Sequence, residues 1–219
     1  VARIGSGRLI VFEGGEGSGK TTQLRRLSSV LSQRDVVHLC VREPGGTLLG
    51  SEVRRLLLDP ASDVDPRAEA LLFMASRAQL VAREIGPALA RGETVLLDRF
   101  FLSTYAYQIA GHGLDESAVR AANAFATDGL VPDLTVLLRY PVLAGLDRAA
   151  VRANAHDRME AMGEPFHERV AAALSTFAEP AWQAAHPECG PIVSVDATGT
   201  EDDVAQRVLG VAKPLWPRE

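Results

Sequence analysis

With 219 residues, 47% of them hydrophobic, the chain can bury a sizeable core and fits one α/β domain with a small insert. A formal net charge of −5 gives no basis for nucleic-acid or acidic-membrane partners. Neither a signal-peptide pattern nor an apolar run of transmembrane length is present, so a soluble, cytoplasmic protein is expected. Cys40 and Cys189 fit neither a metal-ligand nor a CxxC spacing and read as buried free thiols in or beside strands.

Apolar stretches at 8–13, 36–41, 93–98, 133–139 and 191–196 read as buried strands, separated by Ala/Leu/Arg-rich helical segments. Alternation of this kind predicts an α/β fold: a five-stranded parallel sheet with helices on both faces and ligands at the carboxyl ends of the strands. The first strand runs into Gly14, Gly15, Glu16, Gly17, Ser18, Gly19, Lys20, Thr21 and Thr22, a Gly-x-x-x-x-Gly-Lys-Thr loop that opens a helix. In that context the backbone N–H groups and the helix dipole cradle phosphates. Lys20 would reach the β/γ-phosphates of a nucleotide and Thr21 would hold Mg²⁺. The only other lysine is Lys213.

After the second strand comes Arg42-Glu43-Pro44-Gly45-Gly46. The third, Thr94 to Asp98, resembles a Walker B strand whose terminal Asp98 would help orient Mg²⁺, and Arg99 follows at once. His112 is a lone histidine expected to face solvent. Residues 148–163 are charged and poorly periodic, and read as a mobile lid on an otherwise single domain spanning 1–219.

A P-loop by itself leaves kinase, switch and motor open. No Asn-Lys-x-Asp guanine-reading motif is present, which argues against a GTPase switch. Arginines recur at Arg42, Arg54, Arg55, Arg77, Arg99, Arg148, Arg152 and Arg158. Transfer between a triphosphate and a monophosphate needs such cations, because guanidinium forks neutralise phosphates and keep their charge. A phosphate acceptor is already a nucleophile, so positioning and charge neutralisation suffice. Each candidate also has a plain structural reading: Arg55 on a solvated helix face, Phe73 in a helix core, Thr104 as a helix-start hydroxyl, Tyr107 and Gln108 as packing residues.

Phe12-Glu13-Gly14, Gly19-Lys20-Thr21-Thr22-Gln23, Arg42-Glu43-Pro44-Gly45-Gly46-Thr47, Leu56 to Asp59, Ala68 to Phe73, Arg77, Asp98-Arg99-Phe100, Ser103-Thr104 and Ala106-Tyr107-Gln108 together resemble bacterial thymidylate kinases, in order, over residues 8 to about 197. That resemblance implies the fold of P-loop nucleoside-monophosphate kinases and Mg²⁺- and ATP-dependent phosphorylation of dTMP to dTDP. It further implies that Phe73 stacks on thymine, Arg77 donates to a thymine carbonyl and Thr104 meets the base edge near N3. Arg99, with Arg54, would grip the acceptor phosphate. Tyr107 would pack where a ribose 2′-hydroxyl would sit, Gln108 would line the pocket, and Glu16 would meet the sugar 3′-hydroxyl or help arrange the acceptor. Because the P-loop here carries no arginine, the resemblance is to the type whose lid supplies the catalytic cation, through Arg152 and Arg158. A homodimer through helices near 64–91 and 102–126 is implied as well. The sequence departs from the family pattern at Arg139, where an Asp is common.

Overall fold

The computed structural model describes residues 7–141, 144–146, 148, 158–159 and 161–216. Strands β1 (Arg8–Glu13), β2 (His38–Arg42), β3 (Thr94–Asp98), β4 (Leu134–Arg139) and β5 (Ile192–Asp196) form one sheet in the order β2-β3-β1-β4-β5. Every neighbouring pair is parallel. The strands overlap the five apolar stretches. The inner strands β1, β3 and β4 are covered on both faces and so lose the polar–apolar alternation, whereas the edge strand β2, expected to be buried, has no fully buried residue.

Side chains still alternate between two cores. Leu9, Val11, Val95, Leu97 and Leu137 join one, while Ile10, Phe12, Leu96, Val136 and Leu138 join the other. Helices α1 (Lys20–Ser32) and α9 (Glu201–Ala212) close the second core. Leu24, Leu27 and Leu31 recur at helical spacing against Val204 and Val208. The first core lies under α3 (Pro66–Leu80), α4 (Gly86–Ala90), α5 (Phe101–Thr104) and α7 (Glu164–Thr176). Helices α2 (Leu48–Leu58) and α6 (Glu116–Thr127) pack on α3, and the short α8 (Pro180–Ala185) precedes β5.

Two π-helical turns interrupt this layer. Val81–Ile85 precedes Gly86-Pro87, where the proline removes a helix donor and its ring crowds the carbonyl four residues back. Tyr105–Gly111 continues α5 and carries Tyr107 and Gln108. Cys189 is buried as expected, but Cys40 is exposed. It lies on β2, the edge strand next to β3, and an edge strand is not covered on every side.

Register decides what meets at the sheet's carboxyl end. Phe12 of β1 and Arg42 of β2 both pair with Asp98 of β3, so the P-loop, the Arg-Glu-Pro-Gly-Gly turn and Asp98-Arg99 emerge side by side. Among the described residues no helix is long and apolar enough to cross a membrane.

Candidate active site

The P-loop curls because its glycines take backbone angles that other residues resist: Gly17 has φ +64°, and a Cβ there would stand 1.9 Å from the Gly145 carbonyl oxygen. Gly19, in the left-handed region, precedes α1 without a side-chain cap, so the helix's first N–H groups stay open to an anion. The Lys20 ammonium bends back onto its own loop, donating to Gly14 O (3.0 Å) and Gly15 O (2.7 Å). Burial, then the Arg99 charge, lower its pKa to about 8 despite nearby carboxylates. The Thr21 hydroxyl donates to Asp98 Oδ2 at 2.6 Å, bringing together the two residues expected at a metal.

Arg99 follows β3 with φ +72°, a left-handed conformation that costs a non-glycine residue about 1 kcal/mol. The surroundings hold it there. Its N–H donates to Phe12 O, and the next N–H, of Phe100, donates to Glu13 Oε1 at 2.7 Å. Glu13 also receives Ser103 N (3.1 Å) and Ser103 Oγ (2.7 Å). A buried carboxylate from β1 thus caps α5 from outside. The Arg99 guanidinium pairs with Glu16, donates to Ser103 Oγ (3.0 Å) and lies 5.3 Å from the centre of the Tyr107 ring. The Tyr107 hydroxyl donates to Glu16 Oε1 at 3.2 Å. Burial pushes the Glu16 carboxyl up, but Arg99 and Lys20 overcome it and bring its pKa to about 2, so Glu16 is an anion at neutral pH.

Two chambers meet at this cluster. One, about 130 Å³, is lined by Lys20, Thr21, Asp98 and Arg42; the other, about 100 Å³, by Phe73, Arg77, Thr104, Tyr107 and Gln108. Glu16, Glu43, Arg54 and Arg99 line both. A larger and more open cavity of about 670 Å³ extends from Gly15 along the ends of β4 and β5, past Arg139, Tyr140, Ser194 and Thr198.

Arg77 lines the second chamber, yet its donors are engaged by the protein. Only 2% exposed, it gives Nε and Nη2 to Glu43 Oε2 (2.7 and 2.6 Å) and Nη1 to Thr104 Oγ1 (3.0 Å) and Asn123 Oδ1 (2.5 Å). Its Nη2 also reaches Phe100 O at 2.9 Å. Arg54, from α2, donates to Pro44 O at 3.3 Å. Arg55 lies exposed on α2 beside Glu52, a solvated helix face.

Other expectations are redistributed. Arg158 is not at the P-loop: it donates to Leu57 O (2.9 Å) and pairs with Glu69, a fully buried carboxylate on α3. Arg152, and most of the segment expected to form a lid, lie outside the described residues. His112 does not face solvent; its Nε2 is 3.1 Å from Glu69 Oε1 and its ring packs on Phe166. A buried carboxylate attracts every donor within reach, which the local sequence around His112 does not reveal.

Sequence reasoning does not single out Glu13, Ser103, Glu69 or Asn123 as site residues. Glu13 leaves one trace, an acid ending an otherwise apolar strand; Asn123 leaves none.

A phosphate-cradling loop, a strand-end acid and a second chamber for an acceptor, all on a parallel sheet, define a P-loop kinase of nucleotide type. The family model described as thymidylate kinase matches residues 12–204. A thymidylate kinase of Deinococcus radiodurans is 44% identical over 94% of this chain and 96% of its own length. One of a Synechococcus species is 46% identical over 95% of each chain. The crystal structure of thymidylate kinase from Ehrlichia chaffeensis superposes with a TM-score of 0.73 at 29% identity, covering 94% of this chain and 98% of that one. The chain belongs to the thymidylate kinase family.

Proposed function

We propose that the protein transfers the γ-phosphoryl group of ATP to dTMP, giving dTDP and ADP. The observation that carries this reading is the junction of the two chambers: Glu16, Glu43, Arg54 and Arg99 line both a phosphate chamber holding Lys20 and a ring-sized chamber walled by Phe73. An acceptor in the second chamber has its phosphate at Arg99 and Arg54 and its base against Phe73, Thr104 and Gln108. For Arg77 to meet a thymine carbonyl it must release Thr104 or Asn123, so its standing role is to fix the pocket wall.

ATP lies with its phosphates on residues 14–22 and its nucleoside along the open cavity at the β4 and β5 ends, which Gly15 also lines. On binding, Lys20 leaves the Gly14 and Gly15 carbonyls for phosphate oxygens. Arg99 exchanges Glu16 for the acceptor phosphate, which frees the Glu16 carboxylate to accept from the sugar 3′-hydroxyl. Tyr107 occupies the space beside the sugar and favours deoxyribose. The acceptor phosphate oxygen attacks without a general base, and Lys20 and Arg99 neutralise the charge that develops. The resemblance assigns Arg152 and Arg158 of the lid to the same task, and Arg158 would have to leave Glu69 to take part.

Thr21 and Asp98 suit Mg²⁺: a hydroxyl and a carboxylate side by side are hard oxygen donors, and Mg²⁺ typically takes one or two protein ligands plus substrate phosphates. When bound, the ion screens the phosphates and orients the transferred group. A homodimer through α3 and α6 is supported by Leu71 and Phe125, which are 63% and 91% exposed. Cytoplasmic location accords with charged substrates that do not cross bilayers unaided.

The test is acceptor-dependent ADP release with ATP and Mg²⁺ against dTMP, dUMP, CMP, GMP and AMP, with a chelated control. Turnover on dTMP above all others, lost on chelation, is the expected result. Preference for another monophosphate overturns the base assignment, and absence of acceptor-dependent turnover overturns the kinase reading.

A further inference from the structure

Glu69 has no place in the phosphoryl-transfer scheme, yet it is a carboxylate at 0% exposure. It lies on α3 one turn before Phe73, hence on the same face of the helix. Three donors converge on it from two parts of the chain, Gln108 and His112 from one helical turn and Arg158 from beyond β4. Gln108 Nε2 donates to Oε1 at 2.9 Å, His112 Nε2 stands 3.1 Å from the same oxygen, and Arg158 pairs with Oε2. Burial pushes the carboxyl up, but hydrogen bonds from His112, Arg158 and Gln108 prevail and hold it below the usual carboxylate range. A buried anion needs this many donors to stay ionised.

The consequence falls on Gln108, which is buried and lines the acceptor pocket with Phe73 and Thr104. An ionised carboxylate only accepts hydrogen bonds, so the Gln108 amide must turn its NH₂ toward Glu69. Its carbonyl oxygen is then the end left for the pocket. A pyrimidine that carries N3–H, such as thymine or uracil, can donate to that oxygen. Cytosine presents a bare N3 lone pair there, and two acceptors repel.

We propose that Glu69 is a specificity-determining positioning residue: it locks the Gln108 amide with its oxygen toward the acceptor base, so that the pocket admits keto-pyrimidine monophosphates and rejects cytidine ones. Arg158 and His112 complete the lock by supplying the remaining donors of the Glu69 site. This inference rests on the thymidylate kinase reading and extends it to a residue that touches no substrate.

The experiment measures kcat/KM for dTMP and for dCMP in the unaltered protein and in Glu69→Gln, Gln108→Leu and the double variant, with thermal unfolding of each. The neutral amide that Glu69→Gln introduces can donate as well as accept, so Gln108 is free to turn over. The ratio of kcat/KM for dTMP to that for dCMP is expected to fall at least about tenfold in each single variant. It should fall no further in the double, and KM for ATP should stay near its original value. A merely structural role lowers both activities together and leaves the ratio intact; that outcome overturns the proposal. Gln108→Leu keeps the charges of the site, so it decides the matter if Glu69→Gln does not fold: an unchanged ratio there also overturns the proposal. Unaltered protein that lacks turnover on dTMP, or prefers dCMP, overturns the functional reading and this inference with it. Unaltered protein selective for dTMP whose variants keep the full ratio overturns this inference alone.

Discussion

Replacing Arg77 with Met tests whether one buried cation organises the acceptor pocket. The substitution keeps an apolar stem of similar reach but leaves Glu43, 4% exposed, without its cation. It also strips a partner from Thr104, Asn123 and Phe100 O. Breaking a buried ion pair from one side costs about 3–5 kcal/mol, because the orphaned charge stays desolvated. At about 2–4 °C per kcal/mol for a chain of this size, the unfolding midpoint should drop by about 6–20 °C. The loss has a pH signature. Burial, only partly offset by Arg77, already holds the Glu43 carboxyl above its ordinary pKa, and removing Arg77 raises it further. A carboxyl that grips its proton more tightly folded than unfolded lowers stability as pH rises past the unfolded pKa. The deficit of Arg77→Met relative to the unaltered protein should therefore widen from about pH 5 to pH 8. Urea unfolding at both pH values measures it. Adding Glu43→Gln should restore part of the stability and flatten the pH dependence. A deficit below about 1 kcal/mol, or one that shrinks as pH rises, refutes the reasoning.

Lys20→Ala should cut turnover by about 100- to 1,000-fold or more with little change in the unfolding midpoint; comparable activity would remove the P-loop lysine from the chemistry. Because burial and Arg99 bring the Lys20 ammonium to about 8, its positive form is lost as pH rises through that value. kcat/KM for ATP should then decline above about pH 8, and a flat profile to about pH 9.5 would show that Lys20 does not titrate there. Phe125→Glu should shift a dimer toward monomer in sedimentation velocity; an unchanged mass argues against α6 as the contact.

Much of the architecture is legible in the sequence alone. Five apolar runs become five parallel strands, because a sheet covered on both faces demands continuous apolar sequence and short-range patterning records that demand. The P-loop is legible for the same reason: glycine angles, a helix start and Lys20 act within nine consecutive residues. Thr21 and Asp98, 77 positions apart, can be paired from sequence only because each ends or follows a strand of recognisable type.

Tertiary structure alone decided the partners of buried charge. Glu13 reaches across to cap α5, Glu43 takes the Arg77 fork, and Glu69 gathers Gln108, His112 and Arg158 from segments up to 89 positions away. Apart from the apolar strand that Glu13 ends, nothing in the neighbouring residues marks these carboxylates as buried, since desolvation and its compensating donors depend on which strands adjoin and which helix faces meet. Hence His112, read locally as a solvent-facing ring, and Arg158, which the resemblance offers as a lid cation, both turn to one carboxylate in the fold.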